Sequence, residues 1–293
     1  MRLFGFVTIL TGLLLQAGNA HADTLPLGPQ LGDTYQITMV RESTQSKGEG
    51  SSGSSYDRDT IIEKVIGVRP DGLELEYDLP RTATKADRAS TWQFPVRVFK
   101  PTLGSPQLLN RSELETRIDS WLKAAKWTRD VCGRWIFTWN AFRIECDPQS
   151  VIETLEAFDL RVPDLRDGAL YKDKDALDPA PLKMSASGRN GGAFTAELLV
   201  DPEVVRRARA DGDVVVGELM KKPTTLAEAL QNRAKEAISG TISITLQTDR
   251  AGSVWRRTKV TKLETKGADD QLETETRTAT TERRLLPDRA ARR

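Results

Sequence analysis

Histidine is almost absent from this sequence. The chain has 293 residues and one histidine, His21, in an N-terminal segment typical of a cleaved signal peptide. Histidine is the usual general base and a common metal ligand, so its loss excludes Ser-His-Asp, Cys-His and histidine-zinc sites in the mature chain. Phosphate-binding Gly-rich loops, G-x-S-x-G motifs and EF-hand loops are also missing. We predict no catalytic residues, no cofactor and no metal, and favour a protein that is not an enzyme.

Long apolar runs are missing too. A bilayer-spanning helix needs about 20 apolar residues. The apolar run at 3–15 is shorter than that. It follows Arg2 and precedes the small-x-small sequence Ala20-His21-Ala22, a pattern that predicts a secretory signal peptide over residues 1–22. We therefore expect a periplasmic or secreted protein with no transmembrane helix in the mature chain.

Neither sign of charge is in excess. The chain has 43 Lys and Arg against 42 Asp and Glu, and removal of the signal peptide takes away only Arg2. This balance provides no electrostatic argument for nucleic acid as a partner. Residues 283–293 form a basic segment that we predict to be a flexible tail.

Cysteine is scarce, with two residues in the chain, Cys132 and Cys146. In an exported protein, two cysteines most simply form one disulfide bond. A redox role would require a thiolate of low pKa, usually in a C-x-x-C motif, and that motif is missing. We predict a structural disulfide.

The segment between the cysteines is rich in aromatic residues. A turn at Asn140-Ala141 predicts a hairpin in which Trp135 faces Cys146 and one face is apolar. The other predicted pairs are Phe137 with Ile144 and Trp139 with Phe142. This face either packs in the core or forms an apolar ligand groove with the preceding helix. The groove residues would be Trp121, Trp135, Phe137, Trp139 and Phe142.

Alternating residue patterns predict antiparallel strands at both ends of the chain. The N-terminal block runs from Asp33 to Asp78, with a break at the Gly/Ser stretch 48–55, a hairpin turn at 69–72 and a further strand at 92–99. The C-terminal strands are predicted at 241–248, 253–265 and 271–286. Both faces of the last strand are polar, so we expect part of it to stand free of the core or at a sheet edge.

Four helices are predicted between the two blocks from capping signals and 3.6-residue periodicity. Their starts are Ser112, in a capping box with Glu115, then Asp147-Pro148, Asp201-Pro202 and Thr225. The third is expected to be short, and residues 185–192 are predicted to be a loop.

These elements predict an α+β protein with a curved, mostly antiparallel sheet around or against the central helices. We expect one domain over residues 23–282, with two subdomains, 23–110 and 111–282, as the alternative. In architecture alone, this outline is similar to the half-open barrel with enclosed helices of periplasmic lipoprotein carriers.

Three functions are compatible with the sequence. The first is a non-catalytic binding or carrier protein for an apolar ligand or an envelope partner. The second is a histidine-independent hydrolase of cell-envelope glycan, with Glu145 and Asp147 as candidate carboxylates. The third is an envelope assembly factor that acts through the polar strand at 271–286.

Overall fold

Strands are the main secondary structure of the molecule, and many of them alternate between apolar and polar residues, so that each can bury one face and leave the other in water. The computed structural model describes residues 28–48, 50–137, 141–188, 191–267 and 270–287, so the predicted signal peptide lies outside the described residues. The strands are β1 (Thr34–Lys47), β2 (Ser51–Arg69), β3 (Gly72–Asp78), β4 (Val96–Pro101), β5 (Gln107–Leu108), β6 (Trp135–Phe137), β7 (Ala141–Arg143), β8 (Leu170–Tyr171), β9 (Ala180–Pro181), β10 (Lys183–Gly188), β11 (Gly191–Leu199), β12 (Ala237–Thr248), β13 (Val254–Lys266) and β14 (Leu272–Leu285).

Ten of these strands form one open antiparallel sheet in the order β10-β11-β12-β13-β14-β1-β2-β3-β4-β5. The pairs β6-β7 and β8-β9 form two small hairpins. The strand that comes first in the chain, β1, pairs with the strand that comes last, β14, so the N-terminal and C-terminal blocks form one sheet. The large open antiparallel sheet confirms the predicted mostly antiparallel sheet. That this sheet curves around the central helices stays a prediction.

The position of β14 corrects two predictions. Its two polar faces predict that part of it stands free of the core or at a sheet edge, but it pairs with β13 on one side and β1 on the other, so its backbone is used on both sides. Its charged and hydroxyl side chains are accommodated by partners such as Arg209, which contacts the buried Glu273. Residues 283–285, predicted as the start of the tail, belong to this strand, whereas 288–293 lie outside the described residues.

Two segments predicted as breaks are largely strand. Ser51 to Ser55 already belong to β2, where Ser55 lies opposite Ser43 of β1. Likewise, most of the predicted loop 185–192 forms the paired ends of β10 and β11. Small polar residues are tolerated there because these strand ends are largely exposed and need no apolar side chains.

The helices are α1 (Lys85–Ser90), α2 (Arg111–Ala124), α3 (Ser150–Glu156), α4 (Pro202–Leu219) and α5 (Leu226–Arg233), with a 3-10 turn at Arg129–Val131. Asp201 caps α4 and Thr225 caps α5, as predicted. The helix α4 has 18 residues and is longer than expected. The predicted capping box at Ser112 is wrong, because the N-cap of α2 is Asn110, whose side chain instead accepts a hydrogen bond from the Arg97 amide at 2.9 Å.

Two apolar cores lie on the same face of the sheet. The first joins β1 to β4 with α2 and α3, and its fully buried side chains include Val65, Val96, Leu114 and Ile118. The second joins β11 to β13 with the chain at 162–182, and includes Leu182, Ile242, Ile244 and Leu246. Leu263 of the second core lies opposite Glu275 of β14. The pairing of β14 with β1 places Glu275 on the same face of the sheet as Met39 of the first core. Within the described ranges, no helix is both long and apolar enough to cross a bilayer.

Candidate functional site

A cavity of about 600 Å³ is lined by residues from both cores. This volume lies within the roughly 300 to 1,000 Å³ of small-molecule sites. Strands β1, β2, β3 and β14 provide one side, the segment 158–165 after α3 provides another, and the turn before β13 completes it. Its apolar lining includes Ile37, Leu73, Leu75, Phe158, Val162 and Val254.

Gly72, at the start of β3, borders the cavity for a steric reason. A Cβ at this position would lie 2.7 Å from the Cα of Pro101, and closer still to the Lys100 carbonyl oxygen. Only glycine therefore lets β4 approach β3 here. The close approach of β4 places Lys100 and Pro101 in the lining of the cavity.

A buried cluster of polar and charged side chains at the cavity is centred on Glu63 of β2. Its Oε1 accepts hydrogen bonds from Nε and Nη2 of Arg283 at 2.9 and 2.6 Å, and its Oε2 accepts one from the Tyr77 hydroxyl at 2.7 Å. The guanidinium of Arg283 also lies over the Tyr35 ring, 3.3 Å from the ring centroid. Burial, with a further contribution from Glu63, raises the pKa of Tyr77 well above its ordinary value, so this phenol stays protonated and donates.

A second cluster of charged side chains connects β4 to the segment 158–165. The ammonium of Lys100 lies 2.8 Å from Asp159 Oδ1, and burial lowers the pKa of Lys100. Arg161 donates from Nε to Asp159 at 3.2 Å and from Nη1 to the Pro101 carbonyl at 2.9 Å. Burial acts to raise the pKa of Asp159, but Lys100 and Arg161 outweigh it, and the pKa is lowered. Within the described ranges, no group of three or more Asp, Glu, His or Cys side chains is placed to hold a metal.

The disulfide prediction is confirmed. Cys132 and Cys146 are joined with an Sγ–Sγ distance of 2.04 Å, and both pack against the first core. The predicted hairpin also forms, but its register is wrong by three positions, because Trp135 lies opposite Arg143 and Ile136 opposite Phe142. The strand β6 ends at Phe137 and β7 begins at Ala141, and a backbone hydrogen bond from Gly133 to Ile144 continues this register.

The predicted aromatic groove stays a prediction. Trp139 and the side chains of Phe137 and Phe142 lie outside the described residues. Trp121 makes an edge-to-face contact with Trp127, with ring centroids 5.7 Å apart, at the border of the first core. Trp135 is half-buried in β6, which lies against α4. The cavity described above is lined by other residues.

The candidate carboxylates of the hydrolase hypothesis make local backbone contacts. Glu145 Oε1 accepts from the amides of Cys146 and Asp147 at 2.9 and 3.0 Å. Asp147 Oδ1 accepts from the Gln149 amide at 3.0 Å and lies 3.6 Å from Arg111. These contacts organise the chain between the disulfide and α3.

The sequence interpretation missed the charged residues of the cavity. The sequence did contain one signal for them. Glu63 lies two positions from both Ile61 and Val65, and this spacing places its carboxylate on the core-facing side of β2. All three residues are buried. A buried carboxylate requires a partner, and that partner, Arg283, is 220 positions away in the chain.

No protein-family model matches the chain, and no curated protein matches its sequence. Among solved structures, a structure of lipid–protein interactions in lipovitellin has 9% identity and a TM-score of 0.42, over 88% of this chain and 26% of that chain. The chain thus spans about a quarter of the lipovitellin chain. The attachment invasion locus protein Ail of Yersinia pestis has 4% identity and a TM-score of 0.20, over 87% and 100% of the two chains. An outer membrane channel of Pseudomonas putida F1 has 8% identity and a TM-score of 0.25, over 88% and 97%. These values are too low to support a functional argument.

Proposed function

We propose that the protein is an exported, non-catalytic binding protein that holds an apolar ligand in the cavity between its two cores. The observation that carries this proposal is the cavity itself, with a volume of about 600 Å³ and side chains from both cores in its lining. A concave site of this volume that is lined by apolar side chains is a candidate ligand site.

The lining has the composition of a small-molecule site. Apolar side chains from β1, β3, β13 and the segment 158–165 line it, together with five charged side chains and two hydroxyl groups. Export is supported by the signal-like N-terminal segment in the sequence and by the disulfide, which is typical of oxidising compartments.

The test uses N-phenyl-1-naphthylamine, an uncharged apolar dye whose fluorescence rises in apolar sites. We expect the native protein to bind the dye, and Val254→Trp, which fills part of the cavity, to weaken binding about tenfold, because apolar contact area is lost. The matched control is Val216→Trp on α4, where the native side chain is 57% exposed.

Circular dichroism and thermal melting establish that both variants fold. If the dye does not bind, or if a folded Val254→Trp variant binds it as well as the native protein does, the proposed function is wrong.

A further inference from the structure

We infer that the ligand of this cavity is an amphiphile with one anionic head group, which Lys100 and Arg161 bind while its alkyl chain contacts the apolar lining. This inference rests on the proposed function and specifies the chemistry of the ligand. Its first support is the charge balance of the lining, which contains three cations, Lys100, Arg161 and Arg283, and two carboxylates, Glu63 and Asp159.

The three cations are not equally engaged. Arg283 has a carboxylate of its own, because its guanidinium donates two hydrogen bonds to Oε1 of Glu63 and lies over the ring of Tyr35. Lys100 and Arg161, in contrast, share one carboxylate, Asp159. The unbalanced positive charge of the cavity therefore lies at Lys100 and Arg161.

These two cations have donors to offer. The Lys100 ammonium carries three N–H donors, and Asp159 is its one carboxylate partner among the described residues. Arg161 uses Nε and Nη1 within the protein, whereas its Nη2 has no acceptor in the described parts of the chain. A carboxylate, sulfate or phosphate oxygen would accept charge-assisted hydrogen bonds from both residues.

Burial decides the sign of the head group. The Lys100 side chain is only 11% exposed. Water therefore screens its charge poorly. A monoanion would bring the charge of the lining to zero, whereas a cationic head group would raise it further beside the buried Lys100 ammonium. A neutral ligand would leave the imbalance unchanged.

The position of the two cations among apolar residues favours an amphiphile over a small inorganic anion. The apolar lining residues Leu73, Val162 and Val254 are only partly buried by the protein. An ion alone would leave their remaining apolar surface in water, whereas an alkyl chain would cover it.

The experiment compares decanoate, decanol and decyltrimethylammonium as competitors of N-phenyl-1-naphthylamine at constant ionic strength. The three share one alkyl chain and differ in the charge of the head group. We expect decanoate to displace the dye at about one tenth of the decanol concentration, which is the effect of one charge-assisted hydrogen bond. Decyltrimethylammonium should be the weakest competitor.

Variants assign the preference to Arg161. Arg161→Gln should remove most of the advantage of decanoate over decanol, measured as the ratio of the two displacing concentrations within the same variant, and Arg161→Lys should restore part of it. Arg166→Gln is the matched control, because Arg166 directly follows the segment 158–165 and pairs with Asp164 at 2.9 Å, but is 77% exposed and lies outside the cavity lining.

The outcomes separate the two proposals. If decanol competes as well as decanoate, or if Arg161→Gln and Arg166→Gln have equal effects, the anionic head group is wrong and apolar binding stands. If the native protein does not bind the dye, the proposed function itself fails.

Discussion

Arg283 of β14 and Glu63 of β2 form an ion pair across the strand that separates them. Two guanidinium nitrogens of Arg283 donate to one oxygen of Glu63, and Tyr35 of the intervening strand β1 lies beneath the guanidinium. The Glu63 side chain is 5% exposed and that of Arg283 is 20% exposed. The pair therefore joins the last strand of the chain to the N-terminal core, beside the cavity.

Loss of Arg283 is expected to be costly. Arg283→Met would leave the Glu63 carboxylate buried without its cation, so we expect the free energy of unfolding to fall by about 3 to 5 kcal/mol. Urea denaturation followed by circular dichroism measures this change.

The double variant Arg283→Met with Glu63→Gln serves as the control. Glutamine removes the unpaired charge and keeps an oxygen that can accept the Tyr77 hydroxyl, so most of the lost stability should return. If the single and double variants are equally unstable, the cost comes from lost packing of the arginine rather than from the buried charge.

Stability in acid should depend on Glu273. Arg209 donates to both of its carboxylate oxygens at 3.2 and 3.1 Å, and this contact lowers the pKa of Glu273 below its ordinary value. Because the folded-state pKa is the lower one, the stabilisation is complete above the ordinary pKa of about 4.3 and is lost as the pH falls through the folded-state value.

Glu273→Gln should thus cost about 1 to 3 kcal/mol at neutral pH, and the difference from the native protein should shrink below about pH 4. Urea denaturation at a series of pH values checks this. Glu264→Gln, at an exposed position of the adjacent strand β13, should change stability little at any pH. A difference for Glu273→Gln that stays constant as the solution is made strongly acidic would contradict the assigned role.

The disulfide should stabilise the first core by restricting the unfolded chain. Cys132 and Cys146 are 14 positions apart. Closing a loop of this size contributes on the order of 3 kcal/mol. We expect the double variant Cys132→Ser with Cys146→Ser to lose about this amount in urea denaturation. A reducing agent should destabilise the native protein equally and leave the variant unaffected; an effect on both would show that the agent acts elsewhere.

Local patterns in the sequence predicted most of the elements of this fold. Leu73, Leu75 and Tyr77 alternate with acids in β3, and Leu114, Ile118 and Leu122 share one side of α2, so the buried face of each element follows from periodicity. Asp201 and Thr225 indicated helix starts, because their side chains accept hydrogen bonds from helix amides near the N-terminus.

Long-range pairing was not available from these patterns. The contact of β14 with β1 places Thr278 opposite Glu42, and neither residue carries a local signal for the other. Two polar faces therefore predict that part of this strand stands free of the core or at a sheet edge, although β14 lies in the middle of the sheet. The cavity was missed for the same reason, since its charged side chains come from β2, β4, β14 and the segment after α3.

The shared sheet leads to a prediction about cooperativity. The strand β1 pairs with β14 along most of its length. If the strands of one core unfolded, the backbone groups of the paired strand in the other part of the sheet would lose their hydrogen-bond partners. We predict that the two cores unfold as one unit, in agreement with a single domain over residues 23–282. Leu246→Ala removes a fully buried side chain from the second core. This truncation should cost about 2 to 5 kcal/mol.

Hydrogen exchange of the native protein and the variant tests this coupling. In a single cooperative unit, the most protected amides of β2 should lose as much protection free energy as those of β12, although Leu246 lies in the second core. The control is Leu199→Ala, at a position of β11 that is 63% exposed. It should change the protection of either strand by less than about 0.5 kcal/mol, as is usual for surface substitutions. Loss of protection confined to β10 through β13 would instead favour two subdomains, because β2 would then keep its stability when the second core is weakened.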